Sequence, residues 1–434
     1  MKVLLLGLGR ANLPVAEYLI KGNNTVYYYD EHQDALSQKA QELIKTEKIK
    51  PYQDDEECDL VVTSPGFPED HKIVQTLRAK NFDIIDELEF TYNSLNVPRI
   101  IAVTGTNGKS TTIALISHLL ENAGIRNFLG GNISPGRPFS QALFEPEYSY
   151  YCLEVSSFQL MRIKKFRPNI AVITNITADH LNWHHDLNEY INAKARILMN
   201  QNPNDYLVLN YDDQKVRRLA PQSRANIVFF GTQTQNGVWF DDDFHDHTKR
   251  LFSLNGLSLK GRHNLMNIAA AIAVMRIIKI TIEDIQTGLR TFKTLPHRLE
   301  EIGILNGINY INNSMCTNES AAIASFNALP GNKIVIVGGK YKGTEGKSYL
   351  LLLTQKAKAC VILGENAIFI KRFFESQGYK NFLIAHNMKD AVEKAQSFAK
   401  KGDIIFLNPG YASFDYFKDF EERGEVFKDA VKGN

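Results

Sequence analysis

Ile100-Ile-Ala-Val-Thr-Gly-Thr-Asn-Gly-Lys-Ser-Thr-Thr112 decides how the chain is read. Four apolar residues, Ile100 to Val103, run into Thr104. A glycine-bearing turn follows, then Lys109-Ser110-Thr111, then an apolar segment of helical period from Ile113 to Leu120. Strand, glycine turn, lysine, hydroxyl and helix come in the order that a phosphate cradle requires. Gly105 and Gly108 let the backbone bend and turn its N–H groups toward an anion. The helix N-terminus adds positive partial charge at the same point. Lys109 can reach the outer phosphates of a nucleotide, and Ser110 can ligate Mg²⁺. The spacing departs from G-x-x-x-x-G-K-[ST], because Val103 stands where the first glycine would be. The competing reading is a glycine turn before a buried helix, and the strand ahead of the turn weighs against it.

Working outward, 434 residues call for two or three domains. With 44% hydrophobic and 23% charged residues the composition is that of an ordinary globular protein. Lys+Arg number 50 and Asp+Glu 48, so the net charge of +2 offers no nucleic-acid surface, and no basic run with interleaved aromatics exists. No stretch of about 18 apolar residues occurs, so no membrane span is expected. The apolar start is broken by Gly7 and Arg10 and reads as a first strand rather than a signal segment. Cys58, Cys152, Cys316 and Cys360 are scattered, make no zinc-ligand spacing, and read as free thiols in a reducing cytoplasm.

Upstream of the cradle, Val3-Leu-Leu-Leu-Gly-Leu-Gly-Arg-Ala-Asn12 and a helix to about Lys21 lead to a strand, Thr25 to Tyr29, that ends at Asp30. This is a βαβ opening with an acid at the tip of the second strand, as in Rossmann-like nucleotide folds. The fingerprint is incomplete, since Asn12 replaces its third glycine, and Gly7-x-Gly9 alone is weak support for NAD. Thr63-Ser-Pro-Gly-Phe-Pro68 follows the strand Asp59 to Val62 at the strand end where open α/β sheets bind ligands; a plain Pro-Gly turn is the alternative. Val97-Pro98 marks a linker.

Downstream, the strand Tyr148 to Val155 carries Glu154 at its end, where a carboxylate can hold the Mg²⁺ of a nucleotide; a capping glutamate is the competing reading. Ile170 to Thr174 is another strand. Lys194 lies on the helix Leu187 to Met199, and spacing alone makes it a solvated charge. Asp241-Asp-Asp243 with His245 and His247 reads as an exposed acidic hairpin rather than a metal site. A strong helix opens at Lys260-Gly-Arg-His-Asn264, and Leu295-Pro-His-Arg298 is the next boundary. From there strands and helices alternate: Lys333 to Val337, Cys360 to Leu363, Phe382 to Ile384 and Asp403 to Leu407 are strands with helices between. The expected fold is therefore α/β in three domains, 1–96 Rossmann-like, 97–296 P-loop ATPase-type and 297–434 Rossmann-like. Three nucleotide-type units around one ATP cradle suggest a multi-substrate transferase or ligase.

Taken together, Thr104-Gly-Thr-Asn-Gly-Lys-Ser-Thr111, Gly130-Gly-Asn132, Glu154-Val-Ser-Ser-Phe-Gln-Leu160, Asn175-Ile-Thr-Ala-Asp-His180, Asn192-Ala-Lys194, Gly261-Arg-His-Asn264 through Asn267, and Pro296-His-Arg298 resemble the Mur ligases of peptidoglycan synthesis. The resemblance covers nearly the whole chain. Pro409-Gly-Tyr-Ala-Ser-Phe-Asp-Tyr-Phe-Lys-Asp-Phe-Glu-Glu-Arg-Gly424 resembles the glutamate-adding branch. It implies an ATP-dependent ligase, in the cytoplasm and expected as a monomer, with small molecules as its only partners. D-glutamate would be joined to UDP-N-acetylmuramoyl-L-alanine through an acyl-phosphate. The alternative is L-glutamate or another amino acid on a UDP-muramoyl substrate.

The resemblance also implies roles. Gly105, Thr106, Asn107, Gly108, Lys109, Ser110 and Thr111 would hold ATP, with Asn267, Arg298 and Asn313. Two Mg²⁺ sites would use Ser110, Glu154, His180 and a carbamylated Lys194, so that Lys109, Glu154, His180 and Lys194 form the catalytic set. Gly7, Asp30, Ser64, Pro65, Gly66, Asn132, Ser157 and His180 would face the UDP substrate. Thr317, Lys342, Ser413 and Phe420 would cradle glutamate. One departure stands out: the family's Asp-Ser-Lys-Ala-Thr-Asn is Asn313-Ser-Met-Cys-Thr-Asn318 here. Loss of an acid at 313 and a cation at 315 is expected to weaken the grip on ATP.

Overall fold

The apolar runs become the strands of three sheets. The computed structural model describes residues 1–433 apart from 34–35, 55, 65, 135, 180–182, 258, 260 and 342–345. The first sheet holds β1 (Lys2–Leu6), β2 (Thr25–Tyr29), β3 (Lys50–Pro51), β4 (Leu60–Thr63) and β5 (Ile84–Asp86) in the order β3-β2-β1-β4-β5, all parallel. The second holds β6 (Ile100–Thr104), β7 (Asn127–Gly131), β8 (Tyr150–Glu154), β9 (Ile170–Ile173), β10 (Tyr206–Asn210), β11 (Asn226–Gly231), β12 (Gly237–Phe240), β13 (Asp243–Asp246) and β14 (Lys249–Ser253). Their order is β14-β13-β12-β11-β10-β9-β6-β8-β7, parallel from β7 to β12 and antiparallel at the β13–β14 edge. The third holds β15 (Glu300–Leu305), β16 (Ile308–Asn312), β17 (Lys333–Val337), β18 (Ala359–Ile362), β19 (Phe382–Ile384) and β20 (Ile404–Leu407), ordered β15-β16-β20-β17-β18-β19. Only β15 runs antiparallel there.

The central strands are apolar on both faces because helices cover both sides, as parallel sheets require. Ile100 to Val103 are fully buried. In the first two sheets the strand that opens the nucleotide-type unit is an interior one: β1 lies between β2 and β4, and β6 between β8 and β9. Chain connections diverge from such a strand to either side, which opens a crevice at its carboxyl end.

Two compact units result, Met1–Ala178 with Trp183–Gly256 and Met266–Arg290, and Asp179–Asn182 with Leu257–Leu265 and Thr291–Asn434. In the former, the first two sheets are fastened by carboxylates on one short helix, Glu87–Ser94. Glu89 accepts the backbone N–H groups of Lys164, Lys165 and Phe166 at 3.0, 2.7 and 2.9 Å. Glu87 accepts Ser140 N–H. Arg162 adds a second tie, to the Glu69 carboxylate at 2.7 Å and the Phe67 carbonyl at 2.5 Å.

Burial outweighs the Ser140 bond and pushes the Glu87 carboxyl up to about 7, from the usual 4.5. A carboxyl raised on folding supports the fold fully below its unfolded value and loses that support as pH climbs through its folded value. A Glu87→Gln variant keeps the acceptor and cannot ionise. Its stability relative to wild type should therefore rise by about 3 kcal/mol between pH values of about 4.5 and about 7, then level off. Urea unfolding at a series of pH values checks this, and a constant difference across that range would refute it.

Candidate active site

The phosphate loop is set by its neighbour strand. The loop leaves β6 at Gly105 (φ +146°) and turns at Gly108 (φ +82°), the residue that precedes the helix Lys109–Asn122. A Cβ on Gly105 would meet Thr174 Oγ1 at 2.0 Å, and one on Gly108 would meet Asn267 Oδ1 at 2.3 Å. Only glycine fits either place. Asn175, just past β9, pairs with the loop as a strand would: Asn107 N–H donates to Asn175 Oδ1 at 2.9 Å, and Asn175 Nδ2 donates to Asn107 C=O at 2.9 Å. Thr106 N–H donates to Asn175 C=O at 2.8 Å, and Thr174 Oγ1 donates to Asn107 C=O at 2.7 Å. Lys109 Nζ folds back on Thr106 C=O at 2.9 Å.

Two further predicted residues converge on this loop. Asn267, on the helix Arg262–Ile278, packs on Gly108 and accepts from Thr112 Oγ1 at 3.3 Å. Lys194 is 1% exposed; its ammonium donates to Gly105 C=O at 2.8 Å and lies 4.4 Å from the Tyr190 ring centroid. It is not the solvated charge that helix spacing alone indicates. Tyr190 OH in turn lies 3.2 Å from Thr106 Oγ1.

Glu154 ends β8 in register with Val103 of β6, beside the cradle. Its Oε1 accepts from Asn132 Nδ2 at 3.1 Å, whereas Oε2 is buried with no hydrogen-bond partner among the described residues. A buried orphan carboxylate oxygen next to a phosphate loop suits a divalent cation. Mg²⁺ takes one or two carboxylates plus phosphate oxygens and water rather than a closed protein cage. No cluster of three or more His, Cys, Asp and Glu side chains that could hold a metal ion forms among the described residues. Asp241 to His247 form the expected hairpin between β12 and β13, with His245 Nε2 bonded to Asp241 Oδ1 at 3.0 Å.

Ser157 begins the helix Ser157–Met161 behind a Ser156/Gln159 capping box. Its hydroxyl lies 2.9 Å from Nε2 of His184, a residue missed in the sequence because a His-His doublet in a polar loop carries no signal. His184 is fully buried against Phe158 and Tyr190, and burial holds its imidazole below the usual range.

At the first sheet, Asp30 binds the glycine turn itself, accepting Leu8 N–H at 2.8 Å and His32 N–H at 2.9 Å. A Cβ on Gly7 would meet Ser64 Oγ at 2.7 Å, so Gly7, Asp30 and Ser64 lie together at the strand ends. Asn12 explains the broken fingerprint: its buried amide donates to the carbonyls of Leu6 and Gly7 at 3.0 Å and Val62 at 3.3 Å, stitching β1 to β4. Gly66 is exposed beside them. Pro65, His180 and Lys342 lie outside the described residues.

In the second unit the remaining described residues lie just before β15 and after β16 and β20. Arg423 is 3% exposed and binds Ser314 Oγ at 3.0 Å, Ser314 C=O at 2.7 Å and Tyr411 C=O at 3.2 Å. Burial pulls its guanidinium down to about 10, still a cation at neutral pH. It thereby ties Thr317's loop to that of Ser413, while Phe420 C=O accepts from Ser314 Oγ at 2.8 Å. Arg298 Nη2 lies 2.5 Å from the Met315 thioether. Asn313 accepts Leu299 N–H at 3.1 Å and donates to Asn408 Oδ1 at 2.8 Å.

Sequence comparison decides what this arrangement belongs to. A family profile described as the Mur ligase middle domain matches residues 103–275. The UDP-N-acetylmuramoylalanine–D-glutamate ligase of Clostridioides difficile is 36% identical over 444 residues, covering 99% of this chain and 98% of its own. The chain belongs to the Mur ligase family. The enzyme of the same name from Pelotomaculum thermopropionicum, 35% identical over 443 residues, covers 99% of this chain and 97% of its own. Solved Mur ligases share the fold. UDP-N-acetylmuramate–alanine ligase of Thermotoga maritima aligns with 100% of this chain and 99% of its own at TM-score 0.67 and 19% identity. The MurF ligase of the same organism, solved with ADP, aligns with 87% and 90% at TM-score 0.61 and 19% identity.

Within this Mur ligase, Met315 sits against a cation, so the family lysine would be a liability here. Met315→Lys would bring an ammonium beside the Arg298 guanidinium, at a cost on the order of 1 kcal/mol or more even in a high-dielectric setting. The variant should bind ATP about fivefold more weakly, as read by titration calorimetry. Tighter binding would show that the position wants a cation after all.

Proposed function

We propose that the chain is the ATP-dependent ligase that adds D-glutamate to UDP-N-acetylmuramoyl-L-alanine in the cytoplasmic synthesis of peptidoglycan precursors. The observation that carries this reading is the assembled phosphate cradle with the orphan Glu154 oxygen beside it, in a chain whose full-length relatives bear that enzyme's name. Residues 1–96 serve the UDP substrate, 97–296 ATP and 297–434 the amino acid.

In this reading the loop from Gly105 to Thr111 holds the phosphates of ATP. Lys109 leaves Thr106 C=O and neutralises charge on the γ-phosphate as the carboxylate of the UDP substrate attacks it. ADP departs, leaving an acyl-phosphate, and the amine of glutamate displaces phosphate to give the amide. Ser110 and Glu154 hold one Mg²⁺; His180 and Lys194, as its carbamate, serve a second. The metal ions supply charge neutralisation and in-line orientation. Carbamylation would exchange the ammonium on Gly105 C=O for an anionic oxygen ligand. Asn267, Arg298 and Asn313 serve the nucleotide. Gly7, Asp30, Ser64, Pro65, Gly66, Asn132, Ser157 and His180 serve the UDP-sugar, and Thr317, Lys342, Ser413 and Phe420 serve glutamate. Cys58, Cys152, Cys316 and Cys360 are free thiols, and no helix among the described residues is long and apolar enough to cross a membrane. The enzyme works as a monomer.

Phosphate release with ATP, Mg²⁺ and UDP-N-acetylmuramoyl-L-alanine tests the reading against D-glutamate, L-glutamate and D-aspartate in turn. Release is expected with D-glutamate, and Lys109→Ala should reduce it by orders of magnitude. Preference for L-glutamate or D-aspartate would replace the named amino acid; release by Lys109→Ala at the wild-type rate would remove the cradle from the mechanism.

A further inference from the structure

Asn313 and Asn408 lie in a hydrogen-bond chain whose direction is dictated at both ends by backbone. At one end Leu299 N–H donates to Asn313 Oδ1 at 3.1 Å. Asn313 Nδ2 donates to Asn408 Oδ1 at 2.8 Å. Asn408 Nδ2 then donates to Ala322 C=O at 3.0 Å and to Tyr349 OH at 2.9 Å. The Tyr349 hydroxyl donates to Asn408 C=O at 2.6 Å, closing the far end. Both asparagines are sealed, 3% and 0% exposed, so water cannot stand in for a missing partner.

A backbone N–H at one end and a backbone C=O at the other cannot exchange roles. Every rung between them must accept on one side and donate on the other, which among short side chains a primary amide does. An ionised aspartate at 313 would still accept from Leu299 but would turn an oxygen toward Asn408 Oδ1. A flip of Asn408 would repair that contact and set its oxygen against Ala322 C=O. The ladder therefore accounts for Asn313 where the family motif reads Asp.

We propose that Asn408, with Asn313, is a positioning residue that sets the amino-acid loop 408–413 against the backbone next to Arg298. The ladder links three strand-end segments: Leu299, which follows Arg298; Asn313, after β16; and Asn408, which opens the loop leading to Ser413. This rests on the function proposed above, in which Arg298 serves the nucleotide and Ser413 the amino acid. Loss of a rung should loosen glutamate and, through Arg298, the grip on ATP, and spare the UDP substrate, none of whose assigned residues is in the ladder.

The test compares Asn313→Asp, Asn408→Asp, their combination, and Tyr349→Phe, which removes the terminal hydroxyl and keeps the ring. KM for glutamate is expected to rise tenfold or more in either aspartate variant, with a smaller rise for ATP and a change under twofold for UDP-N-acetylmuramoyl-L-alanine. The double variant should be no worse than the poorer single one, because one missing rung already disconnects the ladder. Tyr349→Phe should show the same pattern at about threefold. Equal shifts in all three KM values, or a lower kcat with every KM unchanged, would overturn the proposal and leave a structural role only. Hydrogen exchange separates its failure from that of the function. Faster exchange confined to 299, 313–316 and 408–413 in Tyr349→Phe is expected with or without turnover. Unchanged exchange there would overturn the ladder, while absent wild-type turnover would count against the function.

Discussion

The site depends on one pairing, the side-chain amide of Asn175 against the backbone of Asn107. A glycine turn that carries positive φ at two places has many conformations open to it in the unfolded chain. Asn175 selects one by offering both a donor and an acceptor to Asn107, in line with the ladder between β6 and β9. The cradle is thus an extension of the sheet rather than a free loop. Its stiffness comes from the strand next door, and that is how N–H groups can be aimed at an anion before any anion arrives. Lys194, Asn267 and Tyr190 all meet the loop in this one conformation.

Several buried or half-buried polar side chains are held mainly by backbone groups. Glu89 takes three consecutive N–H groups, Asn12 three carbonyls, and Arg423 two carbonyls and a hydroxyl. A buried polar side chain left unpaired costs about 1–3 kcal/mol, so such groups make a junction specific as well as stable. Glu87 is pushed up because its bond to Ser140 does not offset burial, and burial raises its neighbour Asp86 as well.

Many strands were legible because their apolar runs are nearly continuous: β2, β17 and β19 match the expected bounds, and β1, β4, β6, β8, β9, β18 and β20 fall within a few residues of theirs. Edge elements were less so. β15 is a mostly exposed run, Glu300–Leu305, that owes its strand form to pairing with β16 rather than to a pattern of its own. The terminal helix Phe420–Lys432 is rich in charge, and its buried face, Arg423, Gly424, Phe427 and Val431, is thin. In the site, the cradle and Glu154 could be derived from spacing. The burial of Lys194 could not, since it comes with a contact to Gly105 from 89 positions away. Asn12, His184 and Asn408 were invisible for the same reason: an asparagine or histidine in a loop has no periodicity, and its role is set by what the fold brings to it. Asn313 and Met315 looked like losses when compared one by one with a motif. Their neighbours Asn408 and Arg298 give each of them a partner.

The central claim is that Asn175 holds the phosphate loop ready for ATP. Titration calorimetry of Mg·ATP into wild type and Asn175→Ala, with thermal unfolding of both, tests it most directly. The account predicts affinity at least tenfold weaker in the variant and a Tm lower by only a few degrees, because the sheet beneath the loop is unchanged. Wild-type affinity in the variant would contradict it.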